Sequence, residues 1–223
     1  MSFYERLVEE TTASRATLLS APIIQRCLIG DVTLASYMAF LQEAYHHVRH
    51  TVPLLTATRE ALPAHHAWLV APLNEYIEEE MGHEQWILDD IVACGGDRQA
   101  AIDSKPSHAT ELMVSYAYDT IARINPVAFF GMVYVLEGTS VSLALMAADA
   151  IQKPLKLPDA AFSYLRSHGT LDLEHTAHFE MLMGDIKRQE DQDAIVHAAN
   201  AFFRLYGDVF RGLPMPQTSQ VQA

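Results

Sequence analysis

Residues 126–152 read PVAFFGMVYVLEGTSVSLALMAADAIQ. The stretch is apolar almost all the way round a helical wheel. A helix of that kind is stable in water only when other elements cover every side of it. Asn125-Pro126 supplies a helix start. The stretch is therefore placed at the centre of a helical bundle. Glu137 is its single charged residue between Pro126 and Asp149. A lone carboxylate in such a helix is expensive unless something neutralises it. Gly138, Thr139 and Ser140 beside it leave room for a ligand or a close helix contact.

The flanking sequence is helical in period as well. Residues 2–18 form an amphipathic helix with Leu7, Thr11 and Leu18 near one face. A short apolar segment follows and ends at Gly30. Asp31 is read as the cap of a long helix through TLASYMAFLQEAYHHVRHT, with Pro53 breaking it and a helix resuming to residue 61. Pro63 opens a helix from His65 to about Cys94, stopped by GGD at 95–97. Ser107 caps a helix through Ile124. The KPLKLP segment is expected to break the chain after the central helix, and Asp159 to begin a helix reaching about Ile186. A last helix covers 192–211, and 213–223 is expected to be a loose tail. No segment alternates with a period of two for long enough to be a strand. The expectation is all-α: one domain over 1–223, a bundle of about seven helices, some broken.

Composition narrows the function. With 15 basic against 28 acidic residues the net charge is −13. That argues against nucleic acid or an anionic membrane as partner. The N-terminus lacks the basic-then-apolar layout of a secretory signal, and no window holds the ~18 uninterrupted apolar residues of a membrane span. Cys27 and Cys94 lie far apart and form no CxxC pair. The charge says little about small substrates; a soluble, reduced, cytoplasmic protein is expected, as a homodimer on the general frequency of such assemblies.

Three helices carry metal-type ligands. His168, Asp172 and His175 are spaced i, i+4, i+7, which at about 100° per residue puts them on one helix face. Alone, that triplet also suits a hydrogen-bonded core network. Glu80 and His83 form ExxH, the i, i+3 pair with which bundles hold iron or manganese. Glu79 could replace Glu80 by spacing. Asp90, two turns on, could orient His83. Together with Glu137 the set is three carboxylates and three imidazoles, which suits iron or manganese better than zinc.

The order E80-M-G-H83, L-E137-G, H168-G-T-L-D172-L-E-H175 resembles the heme-oxygenase-like diiron oxidases and oxygenases, over about residues 35–185. The resemblance implies a heme-oxygenase-type helical fold that binds no heme. It implies two iron ions, held by Glu80, His83, Glu137, His168, Asp172 and His175, that use O2 to oxidise a small organic substrate. Manganese is the alternative metal. The same fold class includes metal-free enzymes of the TenA and PqqC kinds. FLQEAYHHV at 40–48 resembles a TenA segment, with Glu43 in the place of its catalytic acid. TenA-type enzymes also use a cysteine on the central helix, and residues 95–223 contain none. Glu43 with His46 is another i, i+3 pair, and His46, His47 and His50 are read as a polar rim near a pocket mouth. Phe130, Tyr45 and Tyr134 suit either a cavity lining or the core. His65 and His66 are read as surface residues.

Overall fold

The computed structural model describes residues 1–215, except for the side chains of residues 168–176. Among the described residues there are eleven α-helices and no strand. They are α1 (Phe3–Leu19), α2 (Pro22–Leu28), α3 (Leu34–Val48), α4 (Thr51–Ala61), α5 (Val70–Glu80), α6 (His83–Ala93), α7 (Arg98–Asp103), α8 (His108–Asp119), α9 (Phe130–Leu155), α10 (Ser163–Asp185) and α11 (Gln189–Gly212). The count exceeds seven because the long stretches on either side of His50 and of Gly82 each form two helices and because α2 and α7 are short helices of their own.

Helix starts follow side-chain chemistry. Ser2 and Glu5 close a reciprocal capping box on α1. The cap of α3 is Thr33, whose side chain accepts from the Ser36 N–H, rather than Asp31. Asp31 instead accepts from Arg26 Nε at 2.7 Å. The break expected at Pro53 falls earlier, at His50. Pro53 then sits in the first turn of α4, where its missing N–H has no intrahelical partner to lose. The stretch expected to run unbroken from His65 to Cys94 is a 3-10 turn (Ala64–Leu69) followed by two helices, α5 and α6. They part at Met81-Gly82, where Gly82 takes φ +88°. A side chain there would be strained, so glycine fixes the break. At the other end, α9 runs through Pro154, and the chain turns only at Lys156.

α9 is the central rod, packed against α10, α11 and α2. Residues Pro126–Leu155 are long and apolar enough to cross a membrane by composition, but most of that surface is buried inside the bundle. Gly131 lets α11 approach closely. A Cβ there would lie 2.6 Å from Ala199 N and 2.8 Å from Ile195 O. Two apolar cores result. One gathers α1, α9 and α11 around Phe129, Phe130 and Phe202. The other gathers α3, α6 and the C-terminal half of α9 around Tyr37, Ile87 and Phe162.

Asp90 joins α6 to α10. It is 0% exposed, and its two carboxylate oxygens accept from Ser163 N at 2.8 Å and Tyr164 N at 2.9 Å. α10 has no side-chain cap of its own, so a carboxylate from α6 serves its orphan amides. Burial pushes this carboxyl up to about 6, against the lowering pull of the two N–H groups. This is the role of Asp90 in the fold; its hydrogen bonds go to α10, not to His83. The chain after α11 is anchored as far as it is described. Leu213 is buried and the Pro214 carbonyl accepts from Ser36 Oγ at 2.7 Å, so the expected loose tail does not begin at 213.

Candidate functional site

A cavity of about 160 Å³ lies between α9 and a wall built from α2, α3, α4, α5, the start of α10 and the end of α11. Its lining is overwhelmingly apolar. The exceptions include two carboxylates, Glu80 and Glu137, and the imidazole of His47. Such a pocket, apolar with a few convergent polar groups, is the usual form of a small-molecule site.

The helix break builds the first part of the polar end. Glu80 is the last residue of α5 and His83 the first of α6. Across the turn between them, His83 Nδ1 and Glu80 Oε2 are 3.0 Å apart, and both side chains are nearly buried. The pair therefore meets across a hinge rather than along one helix. Trp86 stacks on the His83 ring, with centroids 4.1 Å apart and planes 23° apart, which fixes the imidazole. Glu79 is exposed, whereas Glu80 lines the cavity. The geometry thus separates two acids that spacing left equivalent.

Glu137 approaches the same cavity from α9, with Thr139 and Ser140 beside it. A methyl group added at Gly138 would meet nothing within 4 Å among the described residues, so space remains next to the carboxylate. The side chains of His168, Asp172 and His175 lie outside the described residues. Of the six expected metal ligands, Glu80 and Glu137 line one cavity, and His83 is tied to Glu80.

Glu43 is placed elsewhere. Its carboxylate accepts from Ser107 N, from Ser107 Oγ at 2.9 Å and from Thr110 Oγ1, at the start of α8. It does not line the cavity. His46 Nε2 lies 2.8 Å from Ser104 Oγ, and His50 Nδ1 lies 3.1 Å from Tyr118 OH. Burial lowers the affinity of both rings for a proton. Only His47 of that trio reaches the cavity. It is 2% exposed and meets Tyr206 edge-on.

Several lining residues carry no sequence signal beyond ordinary core character. Tyr76 and Tyr206 line the cavity, while Tyr45, Tyr134 and Phe130 pack in the core. Tyr76 stands one turn before Glu80, and that i, i+4 relation would have marked it. His178 is not part of the lining, but its ring lies 6.0 Å from that of Tyr76, and its Nε2 is buried without a hydrogen-bond partner among the described residues. Cys27 also lines the cavity; burial pushes its thiol up to about 11, so it stays protonated and inert at neutral pH.

A separate polar cluster corrects the surface reading of His66. That ring is 4% exposed, and its Nε2 lies 2.8 Å from Asp191 Oδ2, whose other oxygen accepts from Asn125. The exposed His65 stands beside it. This network ties the 3-10 turn to the start of α11.

The described donors suit iron. Carboxylate and imidazole are the ligand types that ferrous iron favours, and here they are nearly buried on an apolar wall, where an unneutralised charge is costly.

Comparison with known proteins agrees. A family model described as iron-containing redox enzyme matches residues 38–207. No curated protein matches significantly. Among solved structures, a domain of unknown function with a heme oxygenase-like fold from Shewanella denitrificans OS217 is 26% identical, with a TM-score of 0.83 over 94% of this chain and 90% of that one. A TenA homologue from Pseudomonas syringae pv. tomato is 10% identical, with a TM-score of 0.76 over 93% and 90%. Heme oxygenase-1 from the cyanobacterium Synechocystis sp. PCC 6803, solved with heme, is 17% identical, with a TM-score of 0.72 over 94% and 91%. The fold is heme oxygenase-like and all-α, and the chain belongs to the family of iron-containing redox enzymes.

Proposed function

We propose that this protein is a nonheme diiron oxidase or oxygenase that uses O2 to oxidise a small organic molecule held in the cavity. The observation that carries the reading is the convergence of Glu80, with His83 at 3.0 Å, and Glu137 on one apolar cavity. Together with His168, Asp172 and His175 they would hold the two metal ions, iron or alternatively manganese. When bound, iron supplies O2 activation at a site where the surrounding wall excludes water. The protein's own groups do the rest. The Glu80 carboxylate and the Trp86 stack orient His83. His47 and Tyr206 face the substrate space. Burial raises the Tyr206 phenol above its ordinary range, so it keeps its proton and can donate a hydrogen bond to substrate. The net charge of −13 argues against a nucleic-acid or anionic-membrane partner, and a cytoplasmic homodimer is proposed on the general frequency of such assemblies alone.

The test is anaerobic loading with Fe(II), followed by exposure to air. The expected result is two irons per chain and O2 consumption, both lost in a His168→Ala, His175→Ala double variant. Stoichiometric hemin binding with a Soret band, or an activity that survives chelation, would overturn the reading in favour of a heme enzyme or a metal-free one.

A further inference from the structure

His65 and His66 stand in the 3-10 turn Ala64–Leu69, and Asp191 stands in the first turn of α11. None of the three lines the cavity. One ring nitrogen of each histidine and one carboxylate oxygen of Asp191 lie within 4.8 Å of one another. His66 and Asp191 are buried, at 4% and 3% exposure, while His65 is exposed to solvent.

The buried pair is held in place by its surroundings. The His66 backbone N–H donates to the Pro63 carbonyl at 2.8 Å, which fixes the turn. Asn125, whose side-chain oxygen accepts from the Val127 N–H, donates through Nδ2 to Asp191 Oδ1 at 2.8 Å. That leaves Oδ2 to face His66 Nε2, 2.8 Å away. The other nitrogen of His66, Nδ1, is buried and has no hydrogen-bond partner among the described residues. A buried imidazole in a purely structural network normally uses both nitrogens. This one is half-satisfied, beside a fixed carboxylate oxygen and an exposed second imidazole that can turn toward both.

Ligand chemistry selects the ion. Around zinc, bonds of about 2.0–2.2 Å put tetrahedral ligands about 3.4 Å apart. The cluster reaches that spacing by a small opening of the His66–Asp191 contact and a rotation of His65. Two imidazoles and one carboxylate suit zinc, which stands above ferrous iron in affinity, whereas magnesium and calcium want more oxygen ligands. Arg188 is the competitor. Its Nε lies 3.5 Å from the same Asp191 oxygen, but the side chain is half-exposed and also pairs with Glu190, so it can withdraw.

We propose that His65, His66 and Asp191 form a metal site, separate from the cavity, that binds one zinc ion and leaves its fourth position to water. Bound there, the ion ties the turn that leads into α5 to the start of α11 and, through Asn125, to the segment that leads into α9. Those two helices, α5 and α9, carry Glu80 and Glu137. The ion is thus a staple on the scaffold of the cavity. It stabilises the folded chain because the unfolded chain does not present the three ligands together.

The test counts zinc per chain by titration against a colorimetric chelator, with magnesium in excess throughout. His65→Ala, a change at an exposed position, and Asp191→Asn are each expected to weaken this site at least about tenfold and so to lower the count by one. The same drop of one should appear in the Glu80→Ala/His83→Ala background, which separates this zinc from any held at the cavity. Arg188→Gln should bind it about fivefold more tightly, since a competing charge is gone. Thermal melts give a second reading: zinc should raise the melting temperature of wild type more than that of His65→Ala. An equal zinc count in wild type and His65→Ala, displacement of the zinc by magnesium, or a zinc-dependent melting shift that His65→Ala leaves unchanged would overturn the proposal.

Discussion

Glu43-x-x-His46 on α3 and Glu80-x-x-His83 at the α5–α6 junction are the same pattern in sequence, and the structure puts them to different uses. On the unbroken α3 the two side chains part. Glu43 goes to the start of α8 and His46 to Ser104. At the junction the helix breaks at Gly82, and carboxylate and imidazole come within 3.0 Å of each other beside an apolar cavity. The difference lies in the neighbours. Glu43 meets the unsatisfied N–H and hydroxyl groups of a helix start, which a carboxylate satisfies well. Glu80 has an apolar wall around it and a flat indole holding its partner ring.

The comparison can be broken first at Glu43. Replacing it by alanine strands the donors of Ser107 and Thr110, so Glu43→Ala should cost about 2–3 kcal/mol in urea unfolding. A loss below about 0.5 kcal/mol would mean that water replaces the carboxylate and the capping role is minor. Asp90, the other carboxylate serving a helix start, sharpens the contrast through pH. Its folded-state carboxyl stands at about 6 against an ordinary 3.8, so the folded protein binds this proton more readily than the unfolded chain. Its contribution to stability is thus fully present below about pH 4 and fades as pH rises through about 6. Asp90→Asn should flatten that part of the stability profile. At neutral pH it should also cost about 2 kcal/mol, because an amide donor then faces a backbone N–H. An unchanged pH profile would remove Asp90 as the titrating group. The smallest effect is expected at Gly82. A Cβ there meets no atom within 4 Å, so Gly82→Ala isolates backbone strain, about 1–2 kcal/mol. A neutral result in thermal melts would show that the hinge is not held by its left-handed residue.

The all-α architecture and the burial of α9 were legible because an all-round apolar helix has only one place to go. The expectation of space beside Glu137 followed from the same sequence, and the structure puts that residue on the cavity. Glu80 could not be told from Glu79, because helical spacing says nothing about a break, and Gly82 is read as a hinge only once its φ is known. Asp90 was misread for a related reason. It sits on the face expected to support His83, but the first turn of α10 arrives from far away in sequence and takes both its oxygens. His47 and Tyr76 look like ordinary amphipathic boundary residues until a cavity is placed against them. His66 looked like surface because its partner, Asp191, comes from the other end of the chain.

The most direct measurement is iron retained after anaerobic Fe(II) loading and desalting, compared between Glu80→Ala/His83→Ala and Glu43→Ala/His46→Ala proteins that are both folded by circular dichroism. The junction variant is expected to lose iron at least about tenfold relative to wild type, while the α3 variant keeps the wild-type amount. Equal iron in both variants, or loss only from the α3 variant, would contradict the assignment of the metal to the α5–α6 junction.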